Sequence, residues 1–476
     1  MLELALVDYA VIFTYFVMLF VLGFFIKRKI HNLNDYFLAG RRLTLPIFVI
    51  TLVSTWYGGI LGVSEFSYSY GLGNLLTQGI FWYIVYIFFA FFLANRIRKS
   101  NLYTLPDQLE RFYDKKSRFL GAIFNFIMVT PAPYIFSIGV IFSVLFGWDI
   151  WIGVLLGAVI IVFYTIRGGF FADIYTDFIQ FFLMMLGFAM IIPLAVQNYG
   201  GLDFLVANLP NAEAQLSFSG GLPTQTILVW GFLAFWTLAD PGFYQRCYAA
   251  KDDKLPKKGI LISVGFWFLF DICTTFTGIY AAAAINKAGL ANVIEPTQAY
   301  FFIAGDLLPP FLLGLFLVGL IATVMSTVDS FTLLGAMNIS HDLYRNIFKK
   351  DATEKQVLNF TKIGIIITAG FAVIIALFFD SIIAMWYTIG TIGISALIVP
   401  ILFGFFYKGK KSSIASLLSM LAGSIVALFW FINGYINLDE WGWPQYIGGI
   451  EPMYPGLLAS FVVFIVVNIV HVRRMK

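Results

Sequence analysis

Thr323, Ser326, Thr327 and Ser330 recur at i, i+3, i+4 and i+7 in an otherwise apolar stretch, so on a helix their oxygens share one face. A ladder of hard oxygen ligands, with no His or Cys beside it, suits a monovalent cation that must be released in every cycle rather than a transition metal. The same stripe also suits hydrogen-bonded packing between helices. Asp329 lies inside it, and four further carboxylates, Glu65, Asp177, Asp240 and Asp271, fall in apolar surroundings. At the centre of a membrane helix each costs roughly 2.5–3.5 kcal/mol, so each requires a partner or a task. Asp177 either caps a helix start or relays an ion. Asp240 either faces a cationic or hydroxylated solute or satisfies the free amides of a half-helix. No partner is evident for Glu65 or Asp271, and neither is assigned to a site.

These groups need elements to hold them, and two of those elements are interrupted. Ser54-Thr55-Trp56-Tyr57-Gly58-Gly59 and Ala239-Asp240-Pro241-Gly242 each sit mid-way along an apolar run. Gly adds backbone entropy loss and Pro removes a donor, so both runs are predicted to break. About five spans separate them, an odd number, so the two broken segments cross in opposite directions. Paired breaks in inverted halves point to a transporter's central site, because freed carbonyls and half-helix ends coordinate ions and solute. Trp56, Tyr57, Trp236, Trp386 and Tyr387 lie near the breaks, where they either stack on a solute or cation or simply pack.

Composition supplies the solvent for this arrangement. Of 476 residues 60% are hydrophobic and 12% charged, against roughly 45–50% and 25% in a soluble domain. Hydropathy predicts thirteen spans near 5–26, 44–70, 75–95, 119–147, 150–166, 173–196, 226–246, 259–285, 311–340, 357–379, 382–407, 413–436 and 456–472. The first reads as a retained span rather than a removed signal peptide. Of the 30 Lys and Arg, all but Lys287 fall on one side of that topology, Arg167, Arg246 and the Lys251–Lys258 group included. Positive-inside bias then predicts the N-terminus outside and the C-terminus in the cytoplasm of a multi-pass plasma-membrane protein. The net charge of +4 is no nucleic-acid footprint. Cys247 and Cys273 read as packing residues, His31, His341 and His471 fall in connectors or the tail, and no P-loop or catalytic triad spacing is present. An enzyme is not expected, nor a cofactor.

Four motifs in order resemble the sodium/solute symporter family: Asp35-Tyr36-Phe37-Leu38-Ala39-Gly40-Arg41; Gly168-Gly169 through Thr176-Asp177 and Gln180; Tyr244-Gln245-Arg246 with Ala249-Ala250-Lys251; and Met325-Ser326-Thr327 with Asp342-Leu343-Tyr344. The resemblance covers roughly residues 33–405. It implies an all-α polytopic membrane protein of about 13 transmembrane helices, built on a five-plus-five inverted repeat with one extra helix before it and two after. The corresponding division is an extra helix and loop over 1–43, a first repeat over 44–196, a loop over 197–225, a second repeat over 226–407 and two additional helices over 408–476.

By the same resemblance, sodium would be held by carbonyls of Ser54, Tyr57 and Thr323 and hydroxyls of Ser326 and Thr327, the sole metal being Na⁺ as coupling ion. A second ion would use Asp177 and Ser330, with Asp329 replacing the family's other serine. Solute would bind near Trp56, Gly58, Gly59, Trp236, Asp240, Trp386 and Tyr387. The segments around Thr55 and Asp329 look most like the choline branch and others match the proline and sugar branches, so a small zwitterion or organic cation is the expected class. The expected partners are that solute, Na⁺ and the lipid bilayer, with no obligate protein partner. The implied activity is sodium-coupled symport into the cell. A proton-coupled carrier is the alternative. A channel would need a continuous polar lining, and a membrane sensor an appended signalling domain.

Overall fold

A computed structural model describes residues 3–26, 32–438 and 444–474. His31, Asp439 and Glu440 lie outside them. Among the described residues the chain is all helical, and β pairing is confined to the isolated bridges Leu43 with Ala250 and Leu438 with Pro444. Ten helices are long and apolar enough to cross a membrane, and the bent pair Leu45–Trp56 and Ile60–Tyr70 brings the number to eleven. The expected spans at 5–26 and 150–166 correspond to shorter apolar stretches, Leu6–Leu22 and Ile150–Phe163. The second of these is followed almost directly by the next span: within Ile150–Ala189 two helices meet at a kink where Gly169 takes the non-helical angles φ 51° and ψ −153°. A Cβ there would lie 2.7 Å from the Tyr36 carbonyl, so both the backbone angle and the contact require glycine.

Local sequence sets many of the helix starts. Asn32, Asp114, Ser381 and Ser412 each accept a backbone N–H from the first turn of the helix they precede. Thr104 and Thr353 form reciprocal capping boxes with Asp107 and Gln356. Pro46, Pro106, Pro241 and Pro256 stand in first turns, where their missing N–H is not needed.

Burial separates centre from rim. The Leu312–Phe348 segment is 89% buried over its most apolar window, whereas Glu354–Ala376 is 33% and Met453–Arg473 22% buried. Leu312–Met337 is thus the central post, and it packs closely on Ile150–Ala189 through Gly319, where a Cβ would meet the Leu183 carbonyl at 2.8 Å. Leu186, Phe268, Ile374, Phe429, Leu458 and Phe461 stand exposed on the outer helices. That much apolar side chain facing outward suits lipid tails and not water.

Candidate functional site

Both predicted interruptions are present. Leu45–Trp56 and Ile60–Tyr70 meet at 60°. The residues between them carry a close contact: a Cβ on Gly58 would stand 2.1 Å from Thr327 Oγ1. Only glycine lets the break press against the Leu312–Met337 helix. The other interruption falls at Asp240, which has ψ 116° between Trp236–Ala239 and Pro241–Ala249. The Phe243 N–H donates to Asp240 Oδ1 at 2.9 Å, and Tyr244 Oη donates to the Leu238 carbonyl at 3.0 Å. Asp240 Oδ1 therefore caps the new half-helix, the amide-satisfying alternative of the two read from the sequence.

The hydroxyl face of Leu312–Met337 turns toward the first break. Ser326 Oγ donates to the Ser54 carbonyl and to the Thr323 carbonyl, each at 2.9 Å, and Thr327 Oγ1 donates to the Thr55 carbonyl at 2.7 Å. Ser54, Thr323, Ser326 and Thr327 are thus gathered at one interface of buried oxygens. Their donor set, carbonyls and hydroxyls without sulfur or imidazole, fits a hard cation. Tyr57 follows directly, its N–H donating to the Ser54 carbonyl at 3.4 Å, while its ring packs 4.4 Å from Phe270.

One turn further along, the arrangement differs from the second-ion expectation. Arg246, placed by the hydropathy reading at the cytoplasmic end of the 226–246 span, is fully buried. Its Nη2 lies 3.5 Å from Asp173 Oδ2 and 3.9 Å from Asp177 Oδ2. It also donates to Thr51 Oγ1 and Ser330 Oγ, each at 3.0 Å, and to Thr55 Oγ1. Ser330 Oγ donates to Asp173 Oδ2 at 2.6 Å, and Thr51 donates to the Asp177 carboxylate. A guanidinium therefore stands among the groups considered for a second cation. Asp177 and Ser330 share this network, but both Asp329 carboxylate oxygens lie outside it without a hydrogen-bond partner. Asp177 lies about two turns past the kink at Gly169, beyond the first turn of the following helix, so it is not that helix's N-cap. Sequence reading missed Thr51, Asp173 and Arg246. The available signal was the i, i+4 spacing of Asp173 and Asp177, which puts two carboxylates on one helical face.

His341, assigned to a connector, is buried with Asp107 and Asp342. This trio has the residue types of a metal site, yet Arg118 fills it, paired to Asp107 and 3.1 Å from Asp342 Oδ1. Burial alone would raise the Asp107 pKa, but His341, Arg118 and the Tyr103 N–H together hold it below the ordinary carboxylate value.

Beside the first break lies a cavity walled by aromatic rings, among them Trp56, Trp82, Tyr86, Trp236, Trp267 and Trp386. Trp56 meets Trp82 edge-on at 5.5 Å, and Tyr86 packs 4.5 Å from Trp267. Gly59 also lines it, and a Cβ there would run into the Trp386 ring. Of the expected solute residues, Trp56, Gly59, Trp236 and Trp386 face this cavity. Gly58 instead abuts Thr327, and Tyr387 hydrogen-bonds Glu451. Gln78 and Asp271, which the sequence reading left unassigned, line the wall.

Residues 36–423 match the sequence model of the sodium:solute symporter family. The chain belongs to that family. It is a membrane transporter and not an enzyme. Among its relatives, the osmoregulated proline transporter OpuE of Bacillus subtilis is 25% identical over 97% of this chain and 94% of its own. A sodium/proline symporter of Staphylococcus aureus is 27% identical over 97% of this chain and 92% of its own. Among solved structures, a Na⁺-coupled sialic acid symporter in a substrate-bound outward-open state superposes with a TM-score of 0.79 at 17% identity, covering 98% of both chains. The nucleobase-cation symporter Mhp1 superposes with a TM-score of 0.56 at 12% identity, covering 91% of this chain and 94% of its own. These likenesses establish a shared fold.

Proposed function

We propose that this symporter couples Na⁺ entry to uptake of a small zwitterionic solute, proline being the first to test because the relatives at 25% and 27% identity are named for it. The observation that carries the reading is a continuity of chain: the Ser54 and Thr55 carbonyls face the Ser326 and Thr327 hydroxyls, while the very next residues, Trp56 and Tyr57, line the aromatic cavity. An ion seated between the carbonyls and hydroxyls fixes the same backbone that shapes the solute wall. Na⁺ is then held by Ser54, Thr323, Ser326 and Thr327, with the Tyr57 carbonyl completing the set. The Arg246 guanidinium supplies the positive charge that a second ion would bring to Asp173 and Asp177, which favours one Na⁺ per cycle.

In this reading the fold is the five-plus-five inverted repeat with one helix before it and two after, thirteen crossings in all, with the N-terminus outside and the C-terminus in the cytoplasm of the plasma membrane. One charge moving through 100 mV supplies about 2.3 kcal/mol, and a tenfold Na⁺ gradient adds about 1.4 kcal/mol. Together they sustain accumulation of roughly several hundredfold per sodium. Proteoliposome uptake with an inward Na⁺ gradient, with K⁺ replacing Na⁺, and with a pH gradient alone tests it. Uptake should follow Na⁺, and Ser326→Ala and Thr327→Ala should raise the Na⁺ concentration needed for half-maximal rate. Uptake driven equally by the pH gradient alone would transfer the reading to proton coupling.

A further inference from the structure

The aromatic cavity contains one carboxylate, and the symport reading gives it no work. Asp271 lies mid-way along the Leu255–Lys287 helix, is 4% exposed and lines the cavity wall. The phenol of Tyr83 donates to its Oδ2, and the two groups sit against Gly79, where a Cβ would stand 3.4 Å from Asp271 Oδ2 and 3.1 Å from Tyr83 Oη. Among the described residues no Lys, Arg or His forms an ion pair with it. Contrast Asp173 and Asp177, which share Arg246, and Asp107, which has Arg118. A buried ionised carboxylate without a cation is costly, so it either takes up a proton or meets a cation when one arrives.

The opposite polarity is present on the same wall. Gln78 Nε2 and Trp82 Nε1 are buried donors without an acceptor, and both residues line the cavity. Gln78 stands in the π-helical turn Leu75–Ile80, a local irregularity that recurs at functional sites. Between donors and carboxylate, the faces of Trp and Tyr rings offer the quadrupole that attracts a positively charged nitrogen.

We propose that Asp271 is the anchor for the positively charged nitrogen of the transported solute, steadied by Tyr83, and that Gln78 and the Trp82 indole N–H receive the solute's carboxylate. The solute is accordingly a compact zwitterion with an aliphatic body, and neither a sugar nor a simple carboxylate enters productively. This rests on the symport reading for the cavity's being a transport site.

The test uses purified full-length protein in detergent and in proteoliposomes. L-proline, glycine betaine, glucose and tetrahydrofuran-2-carboxylate, the oxygen counterpart of proline that cannot carry the charge, are compared by tryptophan fluorescence in NaCl. Wild type should bind a zwitterion, with the oxygen counterpart and glucose at least about tenfold weaker. Asp271→Asn should lose about tenfold or more in zwitterion affinity. Asp271→Glu should retain part of it. In both variants the Na⁺-induced rise in melting temperature should persist, which reports folding and ion binding independently of solute. Wild type that binds glucose or the oxygen counterpart as well as proline and glycine betaine overturns the proposal without any variant. So does an Asp271→Asn protein that keeps its Na⁺ response and its full zwitterion affinity. Uptake that ignores the Na⁺ gradient, by contrast, defeats the symport reading while leaving the binding comparison to judge Asp271.

Discussion

At the scale of single residues, Arg246 has the largest consequence. Two carboxylates, three hydroxyls and one guanidinium occupy a region where the Arg246 and Asp177 side chains are 0% exposed. Breaking such a cluster by removing one partner leaves uncompensated charge, at a cost of about 3–5 kcal/mol. Arg246→Ala should therefore fall well below wild type in melting temperature in detergent. Adding Asp173→Asn and Asp177→Asn should recover a large part of the loss, because the repelling charges are gone. If the triple variant is no more stable than the single one, Arg246 acts by packing against Phe170, which its guanidinium overlies at 5.3 Å, and not by charge. Apart from the i, i+4 pair Asp173 and Asp177, nothing in the local sequence announces this cluster. Arg246 lies five residues past the half-helix start at Pro241 and near Lys251 and Lys254, so charge placement alone counts it with the cytoplasmic-side charges at the end of its span. Its partners come from segments about 70 to 195 positions away, and such pairing is a property of packing, not of any window of sequence.

At the scale of elements, what was legible was whatever depends on neighbours in the chain. Apolar runs mark the helices, and the Gly-Gly and Asp-Pro-Gly sequences mark the two breaks because backbone preference is local. The Ser and Thr stripe was legible for the same reason, since helical periodicity decides which side chains share a face. The cavity was legible only at Trp56, Gly59, Trp236 and Trp386, because its wall gathers residues 56–63, 78–86, 230–236, 267–271 and 386 from separate helices; Asp271 looked purposeless until Tyr83 was placed beside it. Asp240 lies between these cases. As an N-cap its carboxyl oxygen accepts the Phe243 N–H, which Asn does equally well, whereas Ala loses the bond and costs about 1 kcal/mol. Asp240→Asn should keep solute affinity and melting temperature close to wild type, and Asp240→Ala should lower the melting temperature. Loss of solute binding in the Asn variant with an unchanged melting temperature would instead assign Asp240 a charge-dependent contact with solute.

At the scale of the whole molecule, the question is how an ion and a solute on different surfaces of one break influence each other. The Leu312–Met337 post is held among its neighbours by the Leu183 carbonyl against Gly319 and the Thr368 side chain against Gly335, so it offers a fixed wall. The Tyr57–Gly59 turn is the adjustable part, with Thr327 on one side and Trp386 on the other. On the proposed reading, an ion drawn to the Ser54 and Ser326 oxygens would hold that turn on the post and keep Trp56 in the cavity wall. Linkage then requires the effect to be mutual: Na⁺ must tighten solute by the same factor that solute tightens Na⁺, typically about 5–150-fold. With 11 Trp in the chain and several around the cavity, intrinsic fluorescence reads both titrations. The zwitterion's Kd should fall between K⁺ and Na⁺ buffers, and the Na⁺ midpoint should fall by an equal factor when the zwitterion is saturating. In the Ser326→Ala, Thr327→Ala double variant both factors should move together toward one, because the bridge between post and turn is lost while the cavity wall is intact. A double variant that binds solute normally and still shows the full wild-type factor would separate the ion from this turn and place the coupling elsewhere in the fold.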